Sequence, residues 1–558
     1  MSTVAQRIHH VPFAQDEQPP SASFSYPAMD SPHETENNLQ LGESKIENLS
    51  SESQNNGSSY SKDPLAPNSD GSQQSGKSSE MEKNEASMDT SEISPQRTQS
   101  SLLLRLPLEV IDQILEEIFY DPTLDTYTAL KTLRACLLLS RKTYWTVLQF
   151  LFRHIPIASP HAFETFRLEL NDHPIKGRMV RTLDFSGFSV VGLNRSASDN
   201  DTIQMVTSDT ILDVLNSTPN LQEFIVSENI QQNLDYRVLA KLFGGDLPHL
   251  QAIDFCGAFS SDFVNAMMKV METYLQGTDR ILHIERLSFH GCSTLPPLAF
   301  TVLLPRLPRL TRLDLSHTRV TDSALLSISQ NVKLAHLHLT QTGLLTADGL
   351  MEFMLYHPAP RSLVSFALRM PAELPHPIDG DDISLFLENL PRNLQKLDIG
   401  GMSISDEHVQ YLPTSLSYLA IYRTLMTAKG VDKVLDHCPS LFYIELEVKL
   451  TRNGRLNAMW KEYNRLFFGR DHGVKIIECS GRSIRSIPEQ MNVLPGWHFL
   501  HGTSRRAWFV REEEYDRLAV KFGPVKTVSV GWRSAKINCA TTVREDIRGV
   551  HWHYSFGR

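Results

Sequence analysis

The chain has 558 residues, 41% of them hydrophobic, and a formal net charge of −10. That length allows two or three domains, and the overall acidity gives no reason to expect a nucleic-acid partner. The six cysteines form no CxxC pair, and no apolar run reaches the roughly eighteen residues of a membrane span, so disulfide-framework and membrane-spanning classes are set aside.

The start of the chain lacks the apolar core of a secretory leader, so a soluble protein of the cytoplasm or nucleus is expected. Residues 1–100 are rich in Ser, Asn, Gln, Glu and Pro, with 15 acidic residues against 6 basic ones and no Trp or Cys. Such a stretch cannot bury enough apolar surface to offset its ordering entropy, so it is expected to be disordered. Ser94-Pro95-Gln96-Arg97 has the form of a proline-directed phosphorylation site, a pattern that a serine-rich tail also produces by chance.

Residues 101–158 change character. Leu106-Pro107 signals helix entry, because proline suits the first helical turn and forces the residue before it out of the helical region. Val110, Ile111, Ile114, Leu115, Ile118 and Phe119 follow at helical spacing, with acidic residues between them, until Asp121-Pro122 breaks the pattern. A second apolar run holds Leu130, Leu133, Cys136, Leu137 and Leu138; a third, after Ser140-Arg141-Lys142, holds Tyr144, Trp145, Leu148, Leu151 and Phe152. Three short helices cannot bury this much apolar surface among themselves. By spacing alone the surplus either caps the end of a larger core or meets a partner.

Leu106-Pro107-Leu108-Glu109-Val110-Ile111, the Ile114/Ile118 spacing, and the tail from Leu139-Ser140-Arg141 to Leu151-Phe152-Arg153-His154-Ile155 resemble an F-box of the fungal type. The insertion around Asp121 to Thr128 is longer than is usual in that family. The resemblance implies docking on a Skp-family adaptor held by a cullin, with Leu106, Pro107, Val110, Ile111, Ile114, Ile118, Trp145 and Leu148 gripping the adaptor.

From Val180 to the mid-400s a triplet of the form L-x-x-L-x-L recurs, in Val180-Arg-Thr-Leu183-Asp-Phe185, Leu310-Thr-Arg-Leu313-Asp-Leu315 and Leu394-Gln-Lys-Leu397-Asp-Ile399 among others. The spacing shortens from 41 residues between Val180 and Leu221 to 22 between Leu394 and Leu416. These later steps match the period of a leucine-rich repeat. Between triplets come N-cap signals and one-sided apolar runs, as in Val320-Thr321-Asp322 and Thr427-Ala-Lys-Gly-Val431. The fold class expected is therefore α/β: a three-helix F-box, a curved leucine-rich-repeat solenoid over 159–451 with a parallel sheet on its concave side, and a C-terminal α+β capping segment. The residues between the leucines then line the concave face, where single polar side chains are ordinarily just solvated.

Tyr418, Tyr422, Phe442 and Tyr443 gather at late concave positions. Exposed aromatics there anchor a protein partner; packed under the C-terminal segment they serve only its core. Residues 452–558 hold five of the six tryptophans and 19 Lys+Arg against 10 Asp+Glu. With Arg505 and Arg506 as guanidinium forks, this end favours an acidic or phosphorylated protein substrate. Stacking on single-stranded nucleic acid is the weaker reading, since Glu512-Glu513-Glu514 follows directly.

No nucleotide loop, nucleophile elbow or metal-ligand spacing is present. His290-Gly-Cys292, His437-Cys438 and His551-Trp-His553 offer two donors each where zinc needs four. No cofactor or metal is expected. The resemblance implies a non-catalytic substrate receptor of a Skp–cullin–F-box ubiquitin ligase. Two alternatives are an F-box protein that binds the adaptor without a cullin, and a non-degradative repeat scaffold.

Overall fold

The computed structural model describes residues 105–120, 126–157, 159–186, 188, 205–371 and 375–447, with shorter stretches at 462–463, 465–467, 472–480, 496–501 and 506–514. The acidic stretch 1–100 lies outside the described residues, as do Arg505 and His551-Trp552-His553.

Three helices come first: α1 (Leu108–Tyr120), α2 (Thr126–Cys136) and α3 (Arg141–Arg153). Ile111, Leu115, Leu133 and Val147 form their small common core. Helix α3 starts at Ser140, whose hydroxyl accepts the Thr143 N–H at 3.1 Å, and Ser140 also ends the α2–α3 turn. At its other end Arg153 reaches back to α1, pairing with Asp112 at 2.7 Å and Glu116 at 3.2 Å.

The chain then enters a sheet without a linker. Strand β1 (His154–Pro156) follows Arg153 directly and pairs in parallel with β2 (Thr182–Asp184). The strands β3 (Glu223–Ile225), β4 (Ala252–Asp254), β5 (Arg286–Ser288), β6 (Arg312–Asp314), β7 (His336–His338) and β8 (Ser365–Ala367) continue it. So do β9 (Lys396–Asp398), β10 (Tyr418–Ala420), β11 (Tyr443–Glu447) and β12 (Ile476–Ser480), all parallel and in sequence order. Strands β13 (Trp497–His501) and β14 (Arg506–Arg511) close the sheet antiparallel, with β14 against β12. Among the described residues this is one fourteen-stranded sheet, which fits the expected α/β repeat architecture.

Every triplet supplies one strand, and its second leucine position points into the core. Cross-strand register places Leu183 beside Phe224, Phe224 beside Ile253, then Leu287, Leu313, Leu337, Phe366, Leu397, Leu419, Ile444 and Ile477 in one unbroken file. Each is 0–1% exposed. Strands sit about 4.8 Å apart, so each side chain touches its neighbours above and below, and each such burial contributes about 1.5–3 kcal/mol. The longer early repeats fill their extra width with phenylalanine: Phe243 stacks on Phe255, and Phe255 on Phe289 at 5.4 Å.

Two devices set the repeat geometry. Two residues after six of the triplets the backbone turns left-handed, at Gly257, Gly291, His317, Gln341, Gly401 and Arg423. That residue's N–H bonds to the next repeat, as from His317 to the Thr340 carbonyl at 2.8 Å. On the helical side, a carboxylate at one repeat's helix entry holds the threonine N-cap of the next. Asp322 accepts the Thr346 N–H and hydroxyl, and Asp406 accepts those of Thr427. Gly430 follows in the helix Ala428–His437, where a Cβ would collide with the Asp406 carboxylate.

The helix Pro160–Asp172 has no counterpart among the sequence expectations. Ser159 caps it, Pro160 sits in its first turn, and Phe163, Phe166 and Leu170 bury at helical spacing. The signal was present but belongs to no triplet.

Gly430→Ala weighs two effects of opposite sign. Alanine favours a helix by about 1 kcal/mol over glycine, whereas overpacking costs about 1–3 kcal/mol and here also displaces Asp406 from the cap. A net loss of about 1 kcal/mol is expected in urea unfolding; a variant more stable than wild type would show that the Asp406–Thr427 clamp holds nothing.

Candidate functional site

Exposed apolar area lies on the outside of the helical block, and charged side chains line the inner face of the sheet.

The helical block exposes far more apolar surface than its small core requires. Leu108 is 52% exposed, Leu138 88%, Leu139 63%, Tyr144 40% and Trp145 49%. Val110 is exposed too, and the Tyr144 and Trp145 rings meet edge to face at 5.4 Å. These residues occupy the first turn of α1, the α2–α3 turn and the first turn of α3. Among the eight residues expected to grip an adaptor, Pro107, Val110 and Trp145 are exposed. Ile114 is half-buried, and Leu106 and Ile118 pack against the block's core. Ile111 and Leu148 require correction. Ile111, 3% exposed, belongs to the block's core, and Leu148 is buried at 9%. Leu108, Leu138, Leu139 and Tyr144, which lie outside the eight expected residues, are exposed as well. Their signal was being apolar yet out of phase with the helical core pattern.

On the inner face, strand alternation produces parallel files of side chains. One file holds Glu223, Arg286, Arg312, His336, Ser365, Lys396, Tyr418, Tyr443 and Ile476. Arg286 pairs with Glu223. His336 sits in this file between β6 and β8. Burial first, then the charges of Arg312, His338 and Lys396, push its pKa down to about 3, so its imidazole is neutral at pH 7.

The neighbouring file is acidic and is not simply solvated. Asp184, Asp254, Asp314 and Asp398 each use Oδ1 to accept the N–H two residues on, at 2.8–3.0 Å, which closes the strand end. Their other oxygens have different fates. Burial works against the charge on Asp314, but His290 and His338 hold its carboxyl well below the ordinary range. Arg369 Nε donates to Asp398 at 3.0–3.1 Å, and its Nη atoms donate to Glu445. Burial alone would lower the Arg369 pKa, yet the two carboxylates hold it well above its usual value. Asp254 Oδ2 has no hydrogen-bond partner, and burial raises this carboxyl to about 7 against the opposing Ser288 and Cys256 bonds.

The late aromatics are mostly not a free surface. Tyr418 and Tyr443 are 1% and 4% exposed and stack at 4.6 Å, packed with Ile476, Trp508 and Val510 of the last strands. The Tyr443 hydroxyl donates to Glu478, which also accepts Trp508 Nε1 at 3.2 Å. The substrate-anchoring role expected of Tyr418 and Tyr443 is thus corrected: the C-terminal strands cover them. Tyr422 is half-buried between the guanidiniums of Arg369 and Arg423. Arg506 opens β14, opposite Ser480, while Arg505 lies outside the described residues.

Among the described residues the cysteines and histidines serve packing and local hydrogen bonds. Burial pushes the thiols of Cys256, Cys292 and Cys479 well up, and that of Cys438 up to about 12. Cys292 Sγ instead donates to the Phe255 carbonyl at 3.3 Å, and His437 Nε2 meets the Leu412 carbonyl at 2.8 Å. Among the described residues no group of three His, Cys, Asp or Glu side chains could hold a metal ion, and no helix is long and apolar enough to cross a membrane.

The Asp254 carboxyl predicts a pH signature. Its folded pKa lies above the unfolded value near 3.8, so the stability linked to it is full at low pH and lost as pH rises towards about 7. Asp254→Asn keeps an oxygen for the Cys256 N–H and removes the buried charge. The variant's stability relative to wild type should grow as pH rises from about 4 to about 7 and level off above that. A difference that stays constant with pH would mean that the carboxylate is solvated.

No family model matches the chain. Among curated proteins, F-box protein YLR352W of Saccharomyces cerevisiae is 28% identical over 279 residues, covering 46% of this chain and 34% of that protein. The chain thus spans about a third of the length of this relative. Among solved structures, similarity extends to Rad7 in its complex with Elc1 from yeast (14% identity, 61% of this chain and 83% of that one, TM-score 0.35). It extends also to the leucine-rich-repeat protein LegL7 of Legionella pneumophila (13%, 47% and 95%, TM-score 0.30). The chain resembles F-box/leucine-rich-repeat proteins: the curated relative is a yeast F-box protein, and the repeat sheet is visible strand by strand.

Proposed function

We propose that the chain is the substrate-recognition subunit of a Skp–cullin–F-box ubiquitin ligase, presenting a target protein for ubiquitination and degradation. The observation that supports this most is the exposed apolar face around Leu108, Val110, Leu138, Leu139, Tyr144 and Trp145, on a helical block that already has a core of its own. Apolar surface left over in that way is the mark of a partner interface, with aromatic side chains as its natural anchors. A Skp-family adaptor is the partner that the F-box resemblance supplies, and a cullin follows from it.

For the substrate, the inner face between β5 and β9 takes the place of the covered late aromatics. Arg312 and Lys396 stand there in one file around a neutral His336, with Arg286 beside them paired to Glu223. That favours a protein with an acidic or phosphorylated segment, held through guanidinium forks and weakened by salt. On this reading the chain needs no catalytic residue or cofactor, and it works in the cytoplasm or nucleus. An F-box protein that binds the adaptor without a cullin is the second reading, since the apolar face supports the adaptor step alone.

Co-purification separates the two. The full chain is expected to recover both adaptor and cullin, and Val110→Asp with Trp145→Ala is expected to recover neither while keeping the wild-type melting temperature. Recovery of adaptor without cullin favours the second reading, and undiminished adaptor with the double variant rules out the proposed face. For the substrate, Arg312→Glu with Lys396→Glu should lose the ubiquitinated target but keep the adaptor; a target retained in full places its site elsewhere.

A further inference from the structure

A cleft of about 390 Å³ opens where α3 meets the first repeat. Trp145, Ile175 and Met179 give it apolar walls, and Ile175 is 59% exposed beside the half-exposed Trp145. Its remaining character is cationic, from Arg153, Arg178 and Arg181.

The charges around it are unevenly matched. Arg153 pairs with Asp112 and Glu116 of α1. Arg181 Nη1 donates to the carbonyls of Arg178 and Asn220 at 3.1 and 3.3 Å, which orient the guanidinium but leave its charge in place. Burial, and then the nearby Arg153, lower the Arg181 pKa, a sign of positive charge crowded into partly dry surroundings. Arg178 is exposed, and among the described residues no carboxylate is paired with Arg178 or Arg181. An anionic occupant would relieve this crowding, and an apolar side chain beside the anion would cover Trp145 and Ile175.

We infer that this cleft holds an acidic segment of the adaptor, clamped between the helical block and the first repeat. The inference rests on the adaptor reading above. Two features select the adaptor rather than the substrate as occupant. Trp145 belongs both to the cleft wall and to the exposed helical face, so the two surfaces are continuous. The cleft also has a fixed shape, because α3 runs into β1 without a linker and Arg178 and Arg181 lie just ahead of β2, the strand paired with β1. An adaptor gripped at both places is held at one angle to the solenoid. The apolar face supplies attachment, and the cleft sets orientation.

The test is calorimetric titration of the full chain with a recombinant Skp-family adaptor at low and high salt. Arg178→Glu changes an exposed side chain with no internal partner, so the melting temperature should not move. At low salt its Kd for the adaptor is expected to rise about ten-fold, with a flatter salt dependence than wild type. Ile175→Glu is expected to weaken binding in the same direction through the apolar wall. If both variants bind like wild type with the same salt slope, while Val110→Asp with Trp145→Ala abolishes binding, the cleft proposal is overturned and the adaptor reading stands. If wild type itself does not bind adaptor, both fall. Loss of substrate with unchanged adaptor affinity in Arg178→Glu also overturns the proposal, by placing a different occupant in the cleft.

Discussion

The register between successive strands is the constraint on which the rest of the structure depends. One core residue from each repeat, Leu183 through Ile477, must lie directly beside the next, and no repeat can bury its own without a neighbour on each side. Both ends of the stack are therefore exposed edges that have to be finished. At the C-terminal end the antiparallel pair β13 and β14 completes the sheet. At the N-terminal end the stack begins within the helical block's own last residues, because His154, Ile155 and Pro156 form β1. Block and solenoid share a strand, and the orientation of one fixes that of the other.

The inner face shows what parallel strands impose on polar side chains. An aspartate that follows the core leucine can accept the N–H two residues on, and this local bond explains its recurrence at Asp184, Asp254, Asp314 and Asp398 without any ligand. The second oxygen then has to be dealt with by neighbours. Arg369 answers two carboxylates at once, and His290 and His338 flank a third. Burying such groups singly would cost several kcal/mol, whereas a charge network with its hydrogen bonds made holds each side chain in one place. The result is a rigid polar file beside that of Arg286, Arg312 and Lys396.

The repeat architecture was legible because the triplet ties each strand to three apolar positions, and the strand bounds follow from it, as at Arg312–Asp314 within Leu310-Thr-Arg-Leu313-Asp-Leu315. The helical block was legible in its elements but not in its faces. Ile111 and Val110 are adjacent and similarly apolar, and only the packing of Leu133 and Val147 against α1 decides that Ile111 turns inward. Tyr418 and Tyr443 were ambiguous for a different reason. Strand alternation places them on the concave side, but whether that side is covered depends on Ile476, Trp508 and Val510, which belong to no repeat. Arg369, the centre of the buried charge network, lies one residue past its triplet, where no sequence pattern marks it.

The account makes the helical block a docking face fused to the sheet, and amide hydrogen exchange of the full chain with and without a Skp-family adaptor tests it most directly. It predicts added protection in the first turn of α1, the α2–α3 turn and the start of α3, continuing through 175–181, with the strands of the middle repeats unchanged. Exchange in the helical block that is the same with and without adaptor, or protection confined to the repeats, would contradict it.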